Sequence, residues 1–264
     1  MTGRIARALV TGASSGIGAA FARQLAQRGV HPVLVARRED RLRALGSELA
    51  RDHGVEVEVL VADLADPEAR ARAEERLRRS DRVVDLLVND AGLGGYGRVH
   101  AQDPALLQRM VEVNVTALLQ LTRAALPGML QRDRGGVINV GSTAGERPGP
   151  HAAVYGASKA FVNRLTEALH EEVRGSGVRV LLLAPGFTAT EFQAVAGVAD
   201  DLAPASLAAD PDEVVAAGLR AFEAGRAVCV PRAADRALLH LARAVPRVAV
   251  RRVSGLIHAR GGGR

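Results

Sequence analysis

The fold is decided near the amino terminus, in Arg7-Ala8-Leu9-Val10-Thr11-Gly12-Ala13-Ser14-Ser15-Gly16-Ile17-Gly18. Arg7 to Val10 is a short apolar strand, a glycine-bearing turn follows at once, and Ala19 to Arg28 reads as a helix. Strand, glycine turn and helix in that order form the context in which such a turn binds a dinucleotide. Gly12 permits the tight turn, Gly16 lets the backbone come up to a pyrophosphate, and Gly18 lets helix and strand approach closely. The helix N-terminus offers free N–H groups to phosphate, which places Ser14, Ser15 and Ile17 in the same cradle. The spacing is GxxxGxG rather than GxGxxG, and the alternative is a purely structural loop.

The alternation of strand and helix continues outward. His31 to Ala36 is a second strand, followed by Arg37 and Arg38. NAD sites place an acid at this strand end for the ribose 2′-hydroxyl, whereas a guanidinium suits a 2′-phosphate bidentately. The arginines therefore predict NADP(H) over NAD(H), the alternative being solvated charges paired with Glu39 and Asp40. An amphipathic helix from Arg41 to Arg51 leads to a strand over Val55–Ala62, ending in Asp63-Leu64. Asp63 suits the adenine amino group, because Asp66 is the better cap for the charged, outward-facing helix expected from Glu68 to Arg79. A strand over Val83–Val88 runs into Asn89-Asp90-Ala91-Gly92, whose small residues let a cofactor lie across the sheet edge while Asn89 braces it. Asp103-Pro104 announces a helix that carries Asn114, a polar residue among apolar ones and equally readable as a satisfied buried amide. Strands over Gly136–Val140 and Val178–Leu183 deliver Ser142 and the turn Ala184-Pro185-Gly186-Phe187-Thr188-Ala189-Thr190. Residues 191–209 suit a flap, Pro211 to Ala224 a helix and Ala227 to Val230 a last strand holding a buried Cys229. The pattern predicts an α/β fold: a doubly wound, Rossmann-type parallel sheet flanked by helices on both faces.

Tyr155 and Lys159, in Val154-Tyr155-Gly156-Ala157-Ser158-Lys159, are four residues apart at the start of a helix, so they share one face. An ammonium one turn from a phenol is expected to lower the phenol's pKa, which makes the pair an acid/base device. Lys159 is the only lysine in the chain, and the other 34 basic residues are arginine. A single retained lysine suggests work for a compact point charge that a guanidinium does badly.

Taken in order, TGASSGIG, NDAG, Asn114, Ser142, YGASK and PGFTAT resemble the short-chain dehydrogenase/reductase family, over roughly residues 5–231. The resemblance implies a Tyr155 that protonates a substrate carbonyl and a Lys159 that binds the nicotinamide ribose and depresses the tyrosine pKa. It implies a Ser142 that holds the carbonyl oxygen and an Asn114 that holds a water linked to Lys159. Ala91, Gly92, Pro185, Gly186, Thr188 and Thr190 are the cofactor contacts it adds, and it implies a homodimer or homotetramer. Asp90 departs from the family's NNAG and is expected to weaken cofactor binding somewhat. Residues 1–231 thus form one dinucleotide-binding and catalytic domain, and residues 232–264 a basic extension.

At 264 residues and 48% hydrophobic content the chain is globular, with a core built from small aliphatics because aromatics are only 3%. The net charge of +6 suits an acidic partner, an anionic membrane surface or nucleic acid, or simply solvated arginines. No basic cluster is interleaved with aromatics, which argues against nucleic acid. Cys229 is the only cysteine, so an internal disulfide and a thiol-based metal site are excluded, and no metal is expected. Without a signal-peptide pattern or an apolar run of about 18 residues, a cytoplasmic protein is expected. The extension interleaves leucine, valine and arginine, which suits a helix over the substrate cleft or a subunit interface, or else docking on an anionic surface. The reading is an NADP(H)-dependent oxidoreductase acting on a small carbonyl or alcohol substrate. The alternatives are a ketoreductase for acyl-carrier-protein thioesters and a catalytically silent NADP sensor.

Overall fold

The computed structural model describes residues 5–197, 208–244 and 248. Seven parallel strands form one sheet: β1 (Arg7–Thr11), β2 (His31–Ala36), β3 (Glu58–Val61), β4 (Leu86–Asn89), β5 (Gly135–Val140), β6 (Val178–Leu183) and β7 (Val228–Cys229), in the order β3-β2-β1-β4-β5-β6-β7. Sequence order reverses between β1 and β4, the switch point at which an open α/β sheet binds ligands beyond its carboxyl ends. The central strands are apolar runs because helices cover both faces. Phe21, Leu34, Leu42 and Val88 sit in the core on one side, and Leu9, Leu87, Leu121 and Met129 in the core on the other.

The helices are α1 (Gly16–Gln27), α2 (Glu39–His53), α3 (Pro67–Arg78), α4 (Pro104–Val111), α5 (Leu118–Gln131), α6 (Ala153–Glu172), α7 (Phe192–Val195), α8 (Pro211–Glu223) and α9 (Ala233–Ala244). Three of them open on Asp-Pro. Asp66 accepts the Ala69 N–H, Asp103 that of Ala105 and Asp210 that of Asp212, while the proline fills the first helical position, where no N–H is needed. Between α4 and α5, Glu112–Ala117 forms a wider π turn, a local irregularity that recurs at functional positions.

Several expectations are corrected. Helix α3 is not simply outward-facing: Arg70 and Arg76 are buried, Arg70 on Gln120, Glu112 and the Leu64 carbonyl, Arg76 on Glu58 and the Arg82 carbonyl. Charge runs read as solvent faces unless a distant partner is known. The third strand is shorter than Val55–Ala62, and β7 is only two residues long, with Cys229 half-buried. On α6, Phe161 is 37% exposed, while Val162 beside it is fully buried. The flap expected over 191–209 falls partly outside the described residues, as does most of the extension beyond Ala244; within them, α7 covers Phe192–Val195.

Candidate active site

The carboxyl ends of β1, β2, β4, β5 and β6 open into one cleft of about 620 Å³. On its β2 side stand Ser14, Ser15, Arg37, Arg38, Asp63 and Leu64. Along the middle lie Gly12, Gly16, Ile17, Ala91 and Gly92, and on the β5–β6 side Ser142, Tyr155, Lys159, Pro185, Gly186, Thr188 and Thr190. Three residues singled out in the sequence lie behind this wall. Gly18 packs under the turn, where a Cβ would stand 2.5 Å from the Gly12 carbonyl oxygen, so helix α1 meets β1 only because Gly18 has no side chain. Asn89 is buried between β4 and β5 and donates to Thr122 Oγ1 (3.0 Å) and Asn139 Oδ1 (2.9 Å). Asn114, in the π turn, donates to the Leu93 carbonyl and to Ser158 Oγ, both at 2.9 Å, and accepts the Leu93 N–H at 2.8 Å. Its amide thus ties the loop after β4 to the helix that carries Tyr155.

Helix α6 presents Tyr155, Lys159 and Asn163 at intervals of four, a polar row along one face. Asn163 was not anticipated. It donates to the Ser142 carbonyl (3.0 Å) and to Glu146 (3.0 Å), which fixes the turn holding Ser142. The four-residue spacing puts it on the face of Tyr155 and Lys159, but nothing local pairs it with Ser142, 21 residues away. Ser158, also missed, donates to the Tyr155 carbonyl at 2.8 Å. Phe192 of α7 lies across Tyr155 with ring centroids 5.3 Å apart. From the extension, Asp235 and Leu238 of α9 line the cleft, and the Asp235 carboxylate lies against Gly186 with Oδ2 buried and unpartnered among the described residues. The extension therefore does cover part of the cleft.

The electrostatics differ from the expected pairing. Burial pushes the Tyr155 phenol up to about 12; a hydrogen bond with Ser142 opposes this and the Asp90 carboxylate adds to it. Lys159 was expected to draw the phenol's pKa down. Instead its ammonium donates to the Val140 carbonyl at 2.8 Å and lies 6.0 Å from the Tyr155 ring centroid, and burial governs the phenol. Burial also lowers the pKa of Lys159 itself, while Asp90 raises it. Asp90 is not merely an acid near a ribose: it sits beneath the glycine turn, held there by the Gly18 N–H, and its carboxyl is raised by burial against the pull of Lys159. Asp63 is not a free acceptor either. Burial pushes its carboxyl up, but Arg109 of α4, donating at 2.8 Å, and the Ala65 N–H outweigh that and leave it below the usual range.

A phenol, a hydroxyl and an ammonium thus converge at one end of a cleft that begins at a glycine-rich turn. Residues 6–199 match the family model described as short chain dehydrogenase. The chain belongs to the short-chain dehydrogenase family. It is 40% identical over 198 residues to an NADP-dependent 3-hydroxy acid dehydrogenase of Salmonella typhi, covering 73% of this chain and 77% of that protein. It is 34% identical over 194 residues to a very-long-chain 3-oxoacyl-CoA reductase of Anas platyrhynchos, covering 71% of this chain but only 61% of that protein. Among solved structures, a short-chain dehydrogenase from Sphingobium yanoikuyae in complex with NADPH superimposes with a TM-score of 0.82 at 38% identity, covering 90% of this chain and 93% of that one. No helix among the described residues of this dehydrogenase is long and apolar enough to cross a membrane, and no cluster of metal-ligating side chains occurs among them.

Proposed function

We propose that this short-chain dehydrogenase is an NADP(H)-dependent oxidoreductase that interconverts a small carbonyl compound and its alcohol, with Tyr155 as general acid and base. The observation that carries the reading is the meeting of Tyr155, Ser142 and Lys159 in the same cleft as the glycine turn and Arg38. The residues fit the cofactor: Ala36 is followed by two arginines and no acid, and the glycine turn, with a positive φ of 71° at Gly12, lines the cleft at the N-terminus of α1. Gly12, Ser14, Ser15, Gly16 and Ile17 would hold the pyrophosphate, and Arg37 and Arg38 the 2′-phosphate. Lys159 would hold the nicotinamide ribose, and Pro185, Gly186, Thr188 and Thr190 the carboxamide end. Bound there, the reduced nicotinamide supplies the hydride.

The chain's own groups handle the proton. The raised pKa keeps Tyr155 protonated at neutral pH, so it has a proton to give to the oxygen of a carbonyl being reduced. Ser142, fixed by Asn163, donates to the same oxygen and stabilises its developing charge. The buried Lys159 ammonium adds positive charge where negative charge grows. Alcohol oxidation runs through the same groups in reverse.

The test is NADPH oxidation against a panel of simple ketones, aldehydes, ketosteroids, sugars and acyl thioesters. Tyr155→Phe should lower kcat by about 100-fold or more and leave NADPH affinity within a factor of two. Turnover that survives the substitution, or a wild type that binds no NADPH, overturns the reading.

A further inference from the structure

The first turn of α2 carries arginines that its own acids do not neutralise. Glu39 pairs with Arg43 at 2.6 Å instead. Arg38 and Arg41 both converge on Glu191, which lies 150 or more residues further along. Arg38 Nη1 donates to Glu191 at 2.8 Å, and Arg41 Nη1 donates to its two carboxylate oxygens at 2.8 and 2.9 Å. The remaining N–H groups of Arg38 reach the glycine turn, with Nε and Nη2 on Ser14 Oγ at 3.2 and 3.0 Å and Nη2 on Ser15 Oγ at 2.8 Å.

Two features make this more than a surface ion pair. First, Glu191 follows Thr190 in the loop after β6, yet Arg38 stands at the end of β2, and β1, β4 and β5 lie between those strands. The contact therefore ties a strap across the mouth of the cleft, and Glu191 itself lines that cleft. Second, a phosphate monoester and a carboxylate ask for the same donors: charge-assisted N–H groups in a planar fork. The guanidinium that suits a 2′-phosphate already holds an anion. Arg38 first, then Arg41, keeps the Glu191 carboxyl below the usual range, so it is that anion throughout the neutral range.

We propose that Glu191 is a specificity-determining residue of the cofactor site: its carboxylate occupies the Arg38–Arg41 pair in place of the 2′-phosphate, and NADP(H) exchanges one anion for the other and unties the strap. The inference rests on the NADP(H) reading above. A nucleotide without the 2′-phosphate has nothing to offer the arginines in exchange, so the strap stays tied. Because Phe192, the next residue, lies across Tyr155, the state of the strap is felt at the proton donor. Recognition at the far end of the cofactor is thereby coupled to access at the reacting end.

The experiment is fluorescence titration of wild type, Glu191→Gln and Glu191→Ala with NADPH and with NADH. Removing the competing charge should tighten NADPH roughly three- to ten-fold, the scale of two part-exposed ion pairs, and leave NADH within about two-fold. The difference should shrink at about 0.5 M salt, where exposed charges are screened. If both variants bind NADPH more weakly, Glu191 holds the arginines in place for the phosphate and the inference is overturned. An unchanged ratio of NADH to NADPH affinity overturns it equally, and in both cases the cofactor reading stands. A wild type that prefers NADH overturns the cofactor reading and the inference together.

Discussion

Asp90 shows how one side chain bears on the chemistry of two others. Its carboxylate lies under the glycine turn, raises the pKa of Tyr155 and raises that of Lys159, in each case because a negative charge favours the protonated neighbour. Carbonyl reduction uses the proton of Tyr155 and the charge of Lys159, and as pH rises the ammonium, lowered to about 8 by burial, is lost well before the phenol, raised to about 12. Asp90→Asn removes the charge but keeps the shape. Both neighbours then lose their proton more readily, and the alkaline limb of kcat/KM for reduction should move to lower pH. A pH profile between about 6 and 10 in both proteins checks this. A limb that stays in place or moves upward would mean that Asp90 does not act on the reacting groups. The family's asparagine at this position makes the substitution a mild one for folding.

At the scale of elements, catalytic geometry depends on how closely the 3-10 turn Thr143–Glu146 approaches α6. A Cβ on Gly145 would stand 2.6 Å from the Lys159 carbonyl carbon and 2.7 Å from the Ala160 nitrogen, both of them rigid helix backbone. Gly145→Ala must therefore push the turn, with Ser142 at its start, away from Tyr155 and Lys159. Overpacking of this kind costs about 1–3 kcal/mol, visible as a lower urea midpoint. It should also lower kcat more than it raises the KM for NADPH, since the glycine turn on β1 is untouched. Wild-type stability and kcat in Gly145→Ala would refute the account. The sheet, by contrast, was legible in the sequence: β2 and β6 carry the bounds expected of them because Gly and polar turns punctuate short apolar runs. That Ser142, Tyr155 and Lys159 come to one cleft was legible as well, because ordered motifs constrain one another. Asn163, Glu191, Arg109 and the buried Arg70 and Arg76 were not. Each owes its role to a partner at least 18 residues away, and local pattern carries no such information. The direction of the Tyr155 pKa shift was misjudged for a related reason: spacing places an ammonium nearby but says nothing of burial.

At the scale of the whole molecule, the described residues carry an apolar surface along α4, α5 and α6 that the fold leaves uncovered. Along α4 and α5, Val111 and Leu119 are exposed on either side of Val115; along α6, Val154, Ala157 and Phe161 follow at intervals of three and four. The two rows meet in a shallow depression lined by Val111, Val115, Ala153, Val154, Ala157 and Ser158. Contiguous apolar patches of this kind mark interfaces, and a two-fold axis would set the same helices of two copies against each other. The inner side of α6 holds Tyr155 and Lys159, so burying its outer side would also steady the site. Sedimentation at micromolar concentrations should therefore give a mass of two or four times 27.7 kDa. Phe161→Glu would place an unpaired carboxylate in the contact, weaken association by about 100-fold and lower kcat, with NADPH affinity less affected. A wild type that sediments as a monomer, or a Phe161→Glu protein that assembles as wild type does, would move the interface elsewhere and leave Phe161 as an exposed ring on a solvent-facing helix.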